Sequence, residues 1–286
     1  ENYLETKLSN KNYRLKTFEK ASLCRNFENE VFKRVNEKII NFPVYLSAGQ
    51  EYVPSSIAQM VKDKKYKPLI FGQHRGHSIY LAFGGSIVEL IDELLGKKTG
   101  CTRGMGGSLS ISSNKINMFG HEGLMGSNAC MGVGACFSSR KPTIVFLGDA
   151  SVEEDYVLAS LSWAAKKELP ILFVVEDNNY AVLTKKKDRR DWKAKDVAKA
   201  FKLESYDIDD QPKNIFSVLK KNLFKKPIFI NVNTKRLFWH SGAGVDEEVK
   251  GDRFTIEKKY LGKKAENIHN NIKKRVESLW KQRLEK

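Results

Sequence analysis

No apolar run in the 286-residue sequence approaches the ~20 residues that cross a bilayer as a helix; the run at 171–175 is representative. A helical membrane protein is excluded on that count. Cysteine is scarce: Cys24, Cys101, Cys130 and Cys136 show no paired spacing, which excludes a disulfide scaffold and a zinc ribbon and leads us to expect free thiols in a reducing compartment. No basic segment followed by an apolar one opens the sequence, so a cytoplasmic location is expected. Acidic residues are in deficit, 34 against 50 Lys and Arg, giving a net charge of +16. The lysines are dispersed, with clumps at 185–187, 220–226 and 258–274. None is interleaved with aromatics and glycine as in an RNA-binding sheet, and no helix-turn-helix pattern stands out, so nucleic acid is not the expected partner. A basic surface that gathers phosphorylated or carboxylated small molecules fits better. Repeats and low-complexity linkers are absent too, and residues 1–286 read as one domain with helical N- and C-terminal extensions.

What is present is a well-stocked core, with 41% of residues hydrophobic. Residues 13–40 carry Phe27, Val31 and Val35 on one face and predict an amphipathic helix. A turn at Gly49-Gln50-Glu51 precedes a second helix over 55–63 and a short buried strand over 68–71. Residues 87–95 form a helix closed by Gly96. The stretch 100–134 holds too many glycines for a regular element, yet Leu109, Ile111 and Met118 keep it from being a linker; it suits close approach of backbone to backbone or ligand. Continuous apolar strands follow at 142–147, 170–175 and 228–232, of the kind buried on both faces of a parallel sheet. Between them lie helices over 152–167, 197–201 and 215–219 and an edge strand over 206–209. Strand–helix–strand at this spacing predicts an α/β fold with a parallel sheet flanked by helices. Ile268, Ile272, Val276 and Leu279 form one stripe of a terminal helix.

Ligands of open parallel sheets bind beyond the carboxyl ends of the strands. Two polar clusters fall there: Gly148-Asp149-Ala150-Ser151 after one strand and Asp177-Asn178-Asn179-Tyr180 after the next. Asp149 alone suits an N-cap and Asn178 alone a turn. As a pair on adjacent strand tips, a carboxylate and a carboxamide suit one hard cation such as Mg²⁺, which takes oxygen ligands. Ala150 and Ser151 open the following helix, whose positive end faces an anion. Arg75 offers a fork for phosphate oxygens or a surface salt bridge. His74 and His77, three apart, have no Cys or carboxylate nearby in sequence to complete a metal site.

Gly148-Asp149 followed by Asn178 and Tyr180 resembles the thiamine diphosphate motif. The sequence resembles in particular the alpha subunit of the first, thiamine-dependent component of 2-oxo acid dehydrogenase complexes, of pyruvate or acetoin dehydrogenase type. Gly49-Gln50-Glu51, His74-Arg75-Gly76-His77, Gly100-Cys101, Gly104-Met105-Gly106-Gly107-Ser108, Gly123-Leu124-Met125-Gly126, Leu169-Pro170 and the 234–241 segment occur in that family's order. The resemblance implies a thiamine diphosphate-binding fold, specifically its diphosphate half. It implies Mg²⁺ on the Asp149 carboxylate, the Asn178 side chain and the Tyr180 carbonyl. Cofactor contacts are implied for His74, Arg75, Gly123, Met125, Gly148, Asp149, Ala150, Ser151, Asn178 and Tyr180, and catalytic roles for His240 and His74. Met125 aligns with the apolar residue that props the cofactor in its bent shape, and otherwise reads as a core methionine. His240 lies in the family's active-site loop, and otherwise reads as an exposed histidine. The implied activity is conversion of a small 2-oxo acid to an acyl-carbanion (enamine) adduct for transfer to an acceptor. The implied partners are a beta subunit, in an α₂β₂ heterotetramer, and a lipoyl acyltransferase. A split-transketolase-like or carbohydrate-modifying thiamine enzyme is the alternative, and a non-enzymatic basic binding protein leaves Asp149 and Asn178 unexplained. The sequence departs from the pattern at Ala150, in place of a third glycine, at Tyr45, and in the loop that ends at Asp246. Ala150 is tolerable if its φ is negative.

Overall fold

A computed structural model describes residues 2–242, 244 and 251–285. In chain order the helices are α1 (Asn2–Asn36), α2 (Tyr52–Asp63), α3 (His77–Ala82), α4 (Ile87–Leu94), α5 (Ser127–Ser139), α6 (Asp155–Lys166), α7 (Ala194–Ala200), α8 (Pro212–Leu219), α9 (Arg253–Leu261) and α10 (Lys263–Leu284). The strands are β1 (Leu69–Phe71), β2 (Met118–Phe119), β3 (Thr143–Gly148), β4 (Ile171–Asp177), β5 (Tyr180–Ala181), β6 (Thr184–Lys185), β7 (Glu204–Asp209) and β8 (Ile228–Asn233). Six of them form a wholly parallel sheet in the order β2-β1-β3-β4-β8-β7, while β5 and β6 form a small antiparallel hairpin. From β1 the chain adds β2 on one side, and from β3 it builds away on the other. The switch point where such sheets open a crevice therefore lies between β1 and β3.

The continuous apolar strands serve two cores at once. Ile144 and Phe146 of β3, Leu172 and Val174 of β4, and Ile228, Ile230 and Val232 of β8 join the cluster under α1, α2, α4, α8 and α10. Their alternates, Val145, Leu147, Ile171, Phe173, Val175 and Phe229, join the cluster under α5, α6 and α7. Successive side chains point to opposite faces of a strand, so burial on both faces demands an unbroken apolar run. Edge strand β7 has no fully buried residue and a mixed sequence.

The first helix presents Phe27 and Val31 to the larger core, with Val35 half-buried against it. Along α10, Val276 and Trp280 are fully buried and Ile272 and Leu279 pack beside them. Arg283 pins this helix to α4 by a two-pronged bond to Asp92, 2.7 Å on each arm. At the start of α4, Ser86 Oγ accepts the Glu89 amide at 3.3 Å, the side-chain half of a capping box.

Two expectations need correction. The glycine-rich stretch contains a regular helix, α5, because its glycines serve packing: a Cβ on Gly132 would sit 2.5 Å from Val145 Cγ2 and 3.3 Å from the Phe71 ring. Helix and sheet meet there at backbone distance. The helix read over 152–167 begins later. Residues Ser151–Glu153 form a 3₁₀ turn, Glu154 is extended (φ −73°, ψ 134°), and α6 starts at Asp155.

Among the described residues no helix is long and apolar enough to cross a membrane. All four cysteines are free.

Candidate active site

The crevice beyond β1, β3 and β4 holds a cavity of about 180 Å³. Its wall contains Gln73, His74 and Arg75 from beyond β1, Gly148, Asp149, Ala150 and Ser151 from the tip of β3, and Asn178, Tyr180, Ala181 and Val182 from beyond β4. Met125 and His240 complete it. Ten of the sequence-derived site residues thus meet in one place, drawn from segments up to 166 positions apart. Gly123 does not line the cavity; it lies in the exposed loop before Met125 with φ 113°.

Asp149 is 2% exposed, and burial, reinforced by the charge of Asp177, pushes its carboxyl above the ordinary 3.8. Arg189 Nη2 donates to Asp149 Oδ2 at 2.5 Å. The upward push survives that partner, so the site still favours added positive charge. Asn178 Nδ2 donates to Gln50 Oε1 at 2.8 Å, and its Oδ1 accepts the Tyr180 amide at 3.1 Å. The link to Gln50 brings in the 49–51 turn. It is held by Gly49 at φ 96°, where a Cβ would lie 2.1 Å from the Lys235 carbonyl oxygen. The adjoining Glu51 is wholly buried and pushed up to about 7, ion-paired to Arg25, which also pairs with Asp252. Ala150 has φ −79° and so replaces a glycine without strain. A 3₁₀ turn and not α6 follows it, so the helix end expected to open at Ala150 and Ser151 is replaced by that turn.

His74 is 7% exposed, and neither of its ring nitrogens has a hydrogen-bond partner. Burial first, then the neighbouring Arg75 charge, pushes its pKa well below the usual histidine value. It is a neutral imidazole with one donor and one acceptor unmet. Its ring lies 5.4 Å from Tyr45, 5.6 Å from His240 and 6.0 Å from His121. Arg75 is buried; Nη1 donates to the Leu46 carbonyl at 2.9 Å and Nη2 to the His240 carbonyl at 3.1 Å, so a surface salt bridge is not its role. His77 belongs elsewhere: Nδ1 contacts Glu28 at 3.1 Å and Nε2 contacts Ser108 at 2.9 Å. Among the described residues no cluster of three or more His, Cys, Asp or Glu could hold a metal. The Met125 carbonyl accepts the Tyr156 hydroxyl. Of the loop after His240, Ser241, Gly242 and Gly244 are described, whereas Ala243, Val245 and Asp246 lie outside the described residues.

Sequence reasoning missed Gln73, Glu176 and Val182. Gln73 Nε2 donates to Glu176, a wholly buried carboxyl that burial pushes up to about 8. Gly148 and Glu176 are register partners on β3 and β4. Since a Cβ at Gly148 would stand 3.5 Å from Gln73 Oε1, the glutamine side chain passes over a bare strand tip. Adjacency of Gln73 to His74 was the available signal; Glu176 looked like one more strand residue. Val182 sits at φ 53° in the hairpin turn, a costly place for a β-branched residue. Arg236 Nη1 holds its carbonyl at 2.9 Å.

A profile of the Dehydrogenase E1 component family matches residues 19–249. The chain belongs to the dehydrogenase E1 component family. Thiamine diphosphate is the cofactor that this membership carries, and the buried imidazole of His74 without a partner, the Arg75 fork and the amides after β3 form a donor set that fits its diphosphate. The chain is 28% identical over 218 residues to the mitochondrial pyruvate dehydrogenase E1 component subunit alpha of Solanum tuberosum, covering 71% of this chain and 54% of that one. The corresponding subunit of Rickettsia conorii is 28% identical over 241 residues, covering 79% and 72%. This E1-family chain thus spans about half the length of the potato relative. Among solved structures, transketolases of Pichia stipitis and Campylobacter jejuni superpose with TM-scores of 0.56 and 0.58 at 15% and 14% identity. They cover 96% and 94% of this chain and 46% and 48% of theirs. That likeness concerns the α/β fold.

Proposed function

We propose that this E1-family chain is the alpha subunit of a thiamine diphosphate- and Mg²⁺-dependent 2-oxo acid dehydrogenase, working with a beta subunit. The observation that carries the reading is the single cavity uniting Asp149, Asn178 and Tyr180 with His74 and Arg75 at three adjacent strand tips. Asp149, Asn178 and the Tyr180 carbonyl would hold Mg²⁺, a hard ion suited to oxygen ligands. Arg75, His74 and the amides at Ala150 and Ser151 would hold the diphosphate, with charge-assisted hydrogen bonds from the guanidinium. Bound thiamine diphosphate supplies a nucleophilic carbon and an electron sink for cleavage next to a carbonyl. The chain's own share is to bind, orient and shield. Neutral His74 donates or accepts without adding charge. His240, half-buried over Arg75, would be the group that moves a proton.

The reading includes one diphosphate-binding domain and a site completed by the beta subunit in a heterotetramer. It includes a small 2-oxo acid as substrate, a lipoyl acyltransferase as acyl acceptor, and a cytoplasmic, reducing location supported by four free thiols. The test is calorimetric titration of Mg²⁺ and thiamine diphosphate into the chain mixed with its beta subunit. Asp149→Ala removes a strand-tip side chain, not a core one, and should abolish Mg²⁺-dependent binding while circular dichroism stays unchanged. Unaltered affinity would refute the metal assignment. Robust 2-oxo acid decarboxylation by the chain alone would refute the two-subunit reading.

A further inference from the structure

One basic segment lies behind the strand tips, the lysine clump at 185–187 with Arg189 following it. It does not form a free cationic surface. Lys186 Nζ meets Asp177 Oδ2 at 2.5 Å, and Arg189 Nη2 meets Asp149 Oδ2 at 2.5 Å. The other arm of Arg189, Nη1, meets Glu153 Oε1 at 2.8 Å. Both strand-tip carboxylates are buried, with side-chain exposures of 2% for Asp177 and 3% for Asp149. One 3₁₀ turn, Lys186–Asp188, sets the two cations three residues apart. That turn is stapled to the polar cluster beyond β4: the Lys186 amide donates to the Asn179 carbonyl at 2.9 Å, and the Arg189 amide to the Lys186 carbonyl at 3.0 Å. Asn179, at φ 70°, donates its own amide to Asp177 Oδ1 at 3.0 Å.

We infer that Lys186 and Arg189 are positioning residues for the cation site, supplying the counter-charge that fixes the strand-tip carboxylates from behind. The inference rests on the reading of Asp149, Asn178 and Tyr180 as metal ligands. A guanidinium on a metal-ligating carboxylate can either block the ion or orient its ligand, and two observations decide for orientation. Asp149 lines the cavity while Arg189 and Lys186 do not. Arg189 engages one oxygen, Oδ2, and its second arm is held away by Glu153. Charge balance agrees. A bound diphosphate brings at least as much negative charge as Mg²⁺ neutralises, so Asp149, Asp177 and Glu153 still need cations in the loaded site. Outer-shell partners of metal ligands commonly govern affinity by ~10–100-fold.

The test uses the full chain mixed with its beta subunit and Mn²⁺ as probe, followed by electron paramagnetic resonance in the presence of thiamine diphosphate. Arg189→Ala should weaken Mn²⁺ uptake about 10–100-fold, and Arg189→Lys should recover part of the loss by restoring one charge. A fold-only role would leave Mn²⁺ affinity untouched in molecules that remain folded by circular dichroism. Equal or tighter Mn²⁺ binding by Arg189→Ala would overturn the proposal, the tighter case showing a guanidinium that blocks. Metal-free melting supplies a second arm. Arg189→Ala should lower the melting temperature in the wild-type background and much less in Asp149→Asn, whereas equal drops in both would also overturn the pairing. Failure of the wild-type chain to take up Mn²⁺ would instead refute the reading of the cation site itself.

Discussion

Glu176→Gln tests the electrostatics beneath the site at a wholly buried carboxyl. The wild-type carboxyl is wholly buried in the sheet and held up to about 8, chiefly by burial, with Gln73 and Arg75 working the other way. In the unfolded chain the same group titrates near 4.5. Below the unfolded value both states are protonated and the group contributes no pH dependence. Between the two values the unfolded state has lost the proton that the folded state keeps, so folding stability falls as pH rises. The slope is about 1.4 kcal/mol per pH unit, which accumulates to roughly 5 kcal/mol across the window as an upper figure. Glutamine is close in shape and neutral at every pH, and its side-chain carbonyl can still accept from Gln73 Nε2. The variant should therefore match wild type near pH 4.5 and gain on it progressively up to about pH 8. Urea unfolding of metal-free protein at four pH values over that range measures the difference. Parallel stability curves for the two proteins would refute the assignment of a buried, proton-holding Glu176.

His240→Ala should leave Mg²⁺-dependent cofactor affinity within about twofold and lower turnover of the reconstituted enzyme by ~10²–10⁴-fold, the usual worth of a positioned proton donor. Single-turnover assays with an artificial electron acceptor and with the natural acceptor separate decarboxylation from acyl transfer, and equal rates for mutant and wild type in both would make the residue a bystander. Trp280→Ala should cost about 3–5 kcal/mol by denaturant unfolding. Its fully buried ring packs 5.9 Å from Phe27 and joins α10 to the main core; a loss below about 1 kcal/mol would mean the C-terminal helix is not integral to it.

Much of the scaffold is legible along the chain because the physics is local. Strands β3, β4 and β8 are buried on both faces, so each is a continuous apolar run bounded by polar tips, and period and position together announce a parallel sheet. The tips announce the chemistry for the same reason: Asp149 and Asn178 end neighbouring apolar runs, and polar residues there have nowhere else to be but the crevice. Helix α5 was hidden because its glycines carry no local signal for helix. Only the approach of Val145 and the Phe71 ring explains why Gly132 belongs in one. The same distinction divides the site. That His74, Arg75, Met125 and His240 share a cavity with Asp149 and Asn178 follows from strand order and a loop returning from beyond β8. Strand order places β1 beside β3, across a sequence separation that no periodicity encodes. The partners that tune the site lie further still from sequence logic. Glu176 sits inside an apolar strand and acquires meaning only when Gln73 crosses the bare tip of Gly148. Arg189 reads as one basic residue among many until folding brings it to Asp149, 40 residues away. Sequence periodicity dictates which residues are buried and on which face; which buried charges meet is decided by tertiary structure, because a carboxylate taken out of water must find its partner wherever the fold delivers one.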